Sequence, residues 1–326
     1  MKTIVTLTMN PAIEMFLETG RMSPGHKLHC PAPIYVPAGG GITVSRAIRR
    51  LGGTSVAIFP AGGAAGEMLA TMLLREQIPA EIIRIRDTTR QDVNIVERAT
   101  GFEYRFAVPG PELALEEWEQ CLDALRHRSP AAEIVVASGS LPPSVPVDFY
   151  GRVAAVARDC GFRLIVDTSG EPLRHAAAPG TYILKPNVSE LSIIAGGSVS
   201  QTIVEAAARS IVSNGGAEAV VVSIGAAGAM IVDRRGLRRV NAPIVPIASR
   251  SGAGDSMVAG IAVALARGWD LDDAVQFGVA AGSSAVSSPG VQVCRRDETE
   301  MLFEQMRAHT TPSFAVMTNR RDRVEV

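Results

Sequence analysis

The feature that most constrains this chain is a regular alternation of short, apolar, β-branched runs with longer helix-patterned stretches. Ile134-Val135-Val136-Ala137, Leu164-Ile165-Val166, Tyr182-Ile183-Leu184 and Ala219-Val220-Val221-Val222-Ser223-Ile224 read as buried strands. Thr3-Ile4-Val5-Thr6-Leu7-Thr8 reads the same way. Between such runs lie amphipathic or alanine-rich stretches at 115–127, 146–159 and 202–214. Strands separated by helices predict βαβ units, and hence an α/β fold: a doubly wound, mostly parallel sheet flanked by helices. Most of the runs end in Gly, Ser, Asp or Asn. That suits loops at the carboxyl edge of the sheet, where open α/β folds bind ligands.

Two stretches break the rhythm. Residues 26–37 and 92–108 look extended, the second turning at Ala99-Thr100-Gly101. Pro31, Pro33 and Pro37 confine the first to a sheet edge or a short irregular strand. Together they predict a small β-layer over the sheet edge, a lid or a contact between copies. From about residue 309 the sequence turns polar and reads as a frayed tail.

Composition removes several function classes. The chain has 326 residues, 47% of them hydrophobic, enough to bury a sizeable core. Net charge is −1, and no basic block precedes the arginine-rich end, so no nucleic-acid partner is expected. Cys30, Cys121, Cys160 and Cys294 match no zinc, redox or disulfide spacing. The N-terminus lacks the shape of a signal peptide, and the longest uncharged run, 274–294, carries Ser, Gln and Pro. A soluble, cytoplasmic protein with no membrane partner is the expectation. Lysine is scarce, with only Lys2, Lys27 and Lys185 against 29 arginines.

Four loops could carry chemistry. Gly252-Ala253-Gly254-Asp255 precedes an apolar helix at 257–266. Backbone amides and a helix dipole converge there on an anion, beside a carboxylate able to take a proton from an attacking hydroxyl. An N-capping Asp after a glycine turn reads equally well. Lys185-Pro186-Asn187-Val188-Ser189-Glu190 places an amide and a carboxylate three residues apart on one helix face. They suit either a water-mediated Mg²⁺ site near phosphates or a capping box. Gly39-Gly40-Gly41 before Thr43 is a close-approach loop or a flexible turn. Ser223-Ile224-Gly225-Ala226-Ala227-Gly228 is a phosphate loop or a hairpin turn. Walker A, Gly-x-Gly-x-x-Gly and Asp-Phe-Gly motifs are all missing from the sequence. The five histidines form no metal or triad pattern.

These four motifs, in this order and spacing, resemble the phosphofructokinase-B family of ribokinase-like sugar kinases. The resemblance runs from Thr6 to about Met306. It includes Ile58-Phe59-Pro60-Ala61-Gly62-Gly63, Ser138-Gly139-Ser140-Leu141-Pro142-Pro143 and Phe277-Gly278-Val279-Ala280-Ala281-Gly282. It implies one kinase domain over 1–308, lid segments at about 12–37 and 90–108, and a tail at 309–326. By that resemblance Asp255 is the catalytic base, and Gly252, Ala253 and Gly254 form the anion hole. Asn187 and Glu190 are the magnesium-associated pair. Lys185, Asn187, Ser223, Gly225 and Gly228 contact the nucleotide. Glu14, Lys27, Gly39, Gly40, Thr43, Arg90 and Ser140 contact the sugar phosphate, with Lys27 reaching across a homodimer built on the lid.

The implied reaction is transfer of the ATP γ-phosphoryl group to a ketohexose phosphate, with Mg²⁺ as cofactor. Fructose 6-phosphate is the first candidate. Fructose 1-phosphate or tagatose 6-phosphate, and a non-catalytic sugar-phosphate-binding regulator, are the alternatives. The chain also departs from the family pattern. Glu14 stands for Asp, Thr43 for Asn and Arg250 for Thr. In the loop that supports K⁺, a further candidate cofactor, Ser288 stands for Asn and Gln292 for Arg, which argues against potassium dependence.

Overall fold

The apolar runs of the sequence each serve two cores at once. In the strand at 132–138, Ile134 and Val136 face one core while Val135 and Ala137 face the other. Val220 and Val222 alternate in the same way with Ala219 and Val221. A strand buried on both faces needs apolar residues at every position, which is why these runs show no polar alternation.

The structure is a computed structural model describing residues 3–128, 132–197, 200–249, 251–288 and 293–310. Its strands are β1 (Thr3–Leu7), β2 (Ala12–Thr19), β3 (Ile34–Ala38), β4 (Ser55–Ala61), β5 (Ala80–Arg84), β6 (Arg90–Glu97), β7 (Phe102–Phe106), β8 (Ala132–Ser138), β9 (Arg163–Asp167), β10 (Thr181–Leu184), β11 (Ala219–Ser223), β12 (Ala229–Asp233) and β13 (Gly236–Val240). Its helices are α1 (Gly40–Arg50), α2 (Gly63–Arg75), α3 (Leu115–Arg128), α4 (Phe149–Cys160), α5 (Glu171–Ala176), α6 (Val188–Ile194), α7 (Gln201–Ser213), α8 (Ala253–Ala266), α9 (Leu271–Ser287) and α10 (Arg296–Thr310).

Nine strands form the main sheet in the order β13-β12-β11-β10-β9-β8-β1-β4-β5. Every pairing from β11 to β5 is parallel, and only β12 runs against the rest, pairing antiparallel with both β11 and β13. Helices α3, α4 and α7 cover one face; α1, α8, α9 and α10 cover the other. The expected doubly wound sheet is therefore present. Among the described residues no helix is long and apolar enough to cross a membrane.

The two extended stretches join a second sheet, ordered β3-β2-β6-β7. The proline-rich stretch contributes only its end, as the edge strand β3; residues 26–33 form no strand. The turn at Ala99-Thr100-Gly101 joins β6 to β7, as its sequence suggested. Helix α10 runs to Thr310, two residues past the expected boundary at 308. Residues 311–326 lie outside the described ones.

Far from the strand edges, Phe277 is fully buried between Trp269 and Phe303, with ring centroids 5.5 and 5.4 Å away. Truncating it leaves a cavity where α9 meets α10. Phe277→Ala should lower unfolding free energy by about 3–5 kcal/mol in urea titration.

Candidate functional site

Five of the seven parallel strands of the main sheet deliver polar groups to one edge. Asn10 follows β1, Ser140 follows β8, Asp167 ends β9, Lys185 follows β10 and Ser223 ends β11. The N-termini of α1 and α8 point to the same edge. Between the small sheet and the first turns of α1 and α8 lies a small cavity of about 70 Å³, lined by Glu14, Thr43, Arg46, Gly252 and Asp255 among others. Three residues named from the sequence for different roles, Glu14, Thr43 and Asp255, thus share one cleft.

Helix α8 begins earlier than its apolar run suggested, at Ala253 rather than Met257. Its N-cap is Gly252, at φ 74°, a left-handed conformation that costs a β-carbon residue energy. Asp255 is the third helical residue and so is not the N-cap. The Ser256 amide makes the first helical bond, to the Gly252 carbonyl at 2.9 Å. The amides of Ala253, Gly254 and Asp255 therefore have no partner within the helix, which leaves an anion-binding terminus. Burial, with Asp167 next and Glu14 adding, pushes the Asp255 carboxyl up to about 7 against the pull of Lys185. A carboxyl so tuned can exchange a proton near neutral pH.

Lys185 is almost fully buried, and its Nζ lies 3.2 Å from Oδ1 of Asp167. Burial opposes its charge, but Asp167, Glu190 and Asp255 outweigh burial and hold the ammonium above the ordinary lysine value. A β-carbon on Gly254 would lie 3.9 Å from Nζ, which puts the charge beside the α8 terminus. Sequence reasoning missed Asp167. The available signal was a strand ending in Asp at the carboxyl edge, opposite a rare lysine.

Asn187 and Glu190 form a full capping box at α6. Oδ1 of Asn187 accepts from the Glu190 amide, and the Asn187 amide donates to Oε2 of Glu190, both at 2.8 Å. Burial raises the Glu190 carboxyl, partly offset by the Asn187 amide, and Asp167 raises it further. The capping reading is thus fulfilled, and it leaves the side-chain nitrogen Nδ2 of Asn187 and Oε1 of Glu190 outside the box. Three carboxylates, Asp167, Glu190 and Asp255, surround the single ammonium of Lys185. That surplus of negative charge fits a divalent cation near bound phosphates. Among the described residues, no group of three or more His, Cys, Asp or Glu forms a direct metal cage, so the fit is to a cation held largely by water and phosphate oxygens. Ser223 pairs with Asn187 as an isolated bridge, and its amide donates to the Pro186 carbonyl at 3.0 Å. Gly225 and Gly228 bound the short turn joining β11 to β12, a hairpin in fact.

On the other side of the cleft, Gly39 and Gly40 open α1. A β-carbon on Gly40 would meet Ser138 Oγ at 2.4 Å and the Gly139 amide at 2.6 Å. Close packing of α1 on β8, rather than flexibility, requires that glycine. Thr43 begins the helical bonding, its amide donating to Gly39 at 2.8 Å. Burial, then Asp92, raises the Glu14 carboxyl, while Arg105, Arg90 and Arg46 lower it. Arg46, unforeseen in the sequence, is held by Glu76 at 2.8 Å. Arg90 pairs with Asp92 at 3.0 Å. Lys27 is exposed and does not line the cleft of its own chain. Ser288 is fully buried and donates to the Ser284 carbonyl at 3.0 Å. Arg250 and Gln292 lie outside the described residues.

Comparison with known proteins finds carbohydrate kinases. The description "pfkB family carbohydrate kinase" matches residues 5–298. ATP-dependent 6-phosphofructokinase isozyme 2 of Mycobacterium tuberculosis is 44% identical over 305 residues, covering 92% of this chain and 89% of the relative. Phosphofructokinase-2 from Escherichia coli, solved in complex with fructose-6-phosphate, superposes with a TM-score of 0.87 at 40% identity. That match covers 94% of this chain and 100% of the other. The same E. coli protein, in a structure described as its tetrameric inhibited form, gives a TM-score of 0.88 with the same identity and coverage.

A raised Asp255 has a consequence for stability. Its ordinary value is 3.8 and its folded value about 7, so folding favours the protonated form. The stability this contributes is complete below the ordinary value and is lost as pH rises through about 7. Asp255→Asn, neutral at every pH, should melt above the unsubstituted protein at pH 8. The gap should narrow as the pH is lowered from 8 towards 5 and close only near the ordinary value of 3.8, as thermal melts would show.

Proposed function

The chain belongs to the pfkB family of carbohydrate kinases, and on that premise we propose that it transfers the γ-phosphoryl group of ATP to fructose 6-phosphate. The observation that carries this reading is the shared cleft. A carboxyl raised to about 7 stands in the first turn of a helix whose free amides face the same space.

In this reading Asp255 takes the proton from the attacking sugar hydroxyl as the new O–P bond forms, the bond from the γ-phosphorus to the bridging oxygen breaks and ADP leaves. The amides at 253–255 accept the charge that develops on the transferring phosphoryl oxygens, and they need no reorientation to do so. Lys185 neutralises phosphate charge from beneath. Asn187 and Glu190 would hold Mg²⁺ through water, and the ion would neutralise the nucleotide phosphates. Ser223, Gly225 and Gly228 lie alongside as the nucleotide edge. Glu14 and Thr43 face the sugar hydroxyls, and Arg90 and Ser140 its phosphate. Glu14 and Thr43 replace the family's residues without emptying the cleft, and Arg46 stands beside them.

The small sheet supports self-association in this reading. Ile34, Phe102 and Phe106 are exposed on it, an apolar surface costly to leave in water. Lys27, exposed in the segment that leads into β3, would reach a second copy's cleft in such an assembly. A related E. coli structure is tetrameric.

An assay of ADP release with MgATP tests the reaction. Turnover should be fastest with fructose 6-phosphate, slower with fructose 1-phosphate and tagatose 6-phosphate, and slowest with free fructose. Asp255→Asn should lower kcat by about 10²–10⁴-fold. Faster turnover of another sugar phosphate, or full activity in Asp255→Asn, would overturn the assignment.

A further inference from the structure

Of three buried side-chain polar atoms without a hydrogen-bond partner among the described residues, Oγ1 of Thr8 being the third, two belong to directly bonded neighbours. They are Oδ1 of Asn10 and Nε of Arg90. Asn10 lies just past β1 and is only 7% exposed. Its amide nitrogen donates to Oγ of Ser140 at 3.1 Å. Its main-chain carbonyl accepts from Nη2 of Arg90 at 3.2 Å. One residue thus ties together groups carried by β6 and by the loop after β8, which are otherwise far apart in sequence.

The other ends of Arg90 are also fixed. Its Nη1 donates to Oδ2 of Asp92 at 3.0 Å and to the Val108 carbonyl at 3.3 Å. Oδ1 of Asp92 in turn accepts from the Val108 amide at 3.0 Å. The loop after β7 closes over this cluster, and a β-carbon on Gly110 would lie 2.2 Å from Oδ1 of Asn10. Both Nη atoms of Arg90 have protein partners, and Nε, a donor, is left for a ligand. Buried polar groups in folded proteins are normally satisfied, so an unpaired donor points to a missing acceptor. A phosphate ester supplies acceptors of the right charge.

We propose that Asn10 is a positioning residue for the phosphate end of the substrate, aligning Arg90 and Ser140 so that the site selects a phosphorylated over a free sugar. The inference rests on the proposed assignment of Arg90 and Ser140 to the sugar phosphate. A neutral amide suits this place: a carboxylate of the same size would keep the packing but repel the phosphate in a weakly screened pocket.

The test compares Asn10→Ala and Asn10→Asp with Ser140→Ala and Arg90→Lys as references. It measures kcat and KM for fructose 6-phosphate, KM for ATP, the preference for fructose 6-phosphate over fructose, and Tm. Asn10→Ala should raise KM for fructose 6-phosphate by about fivefold to tenfold, the effect of one lost hydrogen bond. That rise should exceed any fall in kcat or change in KM for ATP, as expected when ground-state and transition-state binding are lost together. Asn10→Asp, nearly isosteric, should raise it further and lower the preference for the phosphorylated sugar more than Asn10→Ala does. A merely structural residue gives the reverse order, with the Asp variant the milder and KM following Tm; that order would overturn the proposal. If Ser140→Ala and Arg90→Lys raise KM for fructose 6-phosphate but neither Asn10 variant does, the positioning role falls and the kinase assignment stands. If none of the four moves it, both fall.

Discussion

The cleft depends on one buried charge pair. Lys185 and Asp167 sit at the ends of adjacent parallel strands and meet at 3.2 Å. An isolated ammonium in that position would be strongly uphill. Lys185 remains charged because Asp167, Glu190 and Asp255 all face it. The same cluster acts in the opposite sense on Asp255. Crowded by Asp167 and Glu14 and removed from water, its carboxyl is driven up towards neutrality, and Lys185 limits how far. A retained cation and a tuned proton acceptor are therefore two results of one arrangement. The arrangement carries an excess of negative charge that a phosphate-bound cation would relieve.

Backbone packing sets where these charges stand. Gly40 lets α1 approach β8 so closely that any β-carbon would collide with Ser138. That contact brings Thr43 and the end of β8 to one edge of the cleft. Gly252 turns the chain so that the first three amides of α8 face the same space. The second sheet closes the far side with Glu14. None of these groups is on a long flexible segment; each lies within or at the end of a packed element. Rigid placement of this kind keeps reacting groups aligned without an ordering cost at each turnover.

Much of the scaffold could be read from residue order. Runs such as Ala219 to Val222 are apolar at every position because both of their faces are buried. The start of α8 was harder. Its first turn is Ala-Gly-Asp, which lacks an apolar stripe and so reads as loop until the helical bond from Ser256 to Gly252 is seen. The proline-rich stretch showed a sheet edge, but not that residues 26–33 stay outside it. Asp255, Lys185 and Asn187 were legible because glycine turns and a scarce lysine mark them. Asp167, Arg46 and Asn10 were not. Their roles arise from strand neighbours distant in sequence, and a lone Asp, Arg or Asn after an apolar run carries no spacing that names its partner. The turn at 225–228 illustrates the reverse difficulty, since its sequence fitted a phosphate loop and a hairpin equally, and the chain folds it as a hairpin beside the cleft.

The central claim is that one buried cluster holds Lys185 charged and Asp255 poised near neutrality. Carbon-13 NMR titration of the Asp255 carboxyl in the ligand-free protein tests this most directly, with Asp255→Asn used for assignment. The account predicts a midpoint near 7 that moves higher still in Lys185→Met, because the nearby ammonium is the charge that lowers it. A midpoint in the ordinary aspartate range, unmoved by loss of the lysine charge, would contradict it.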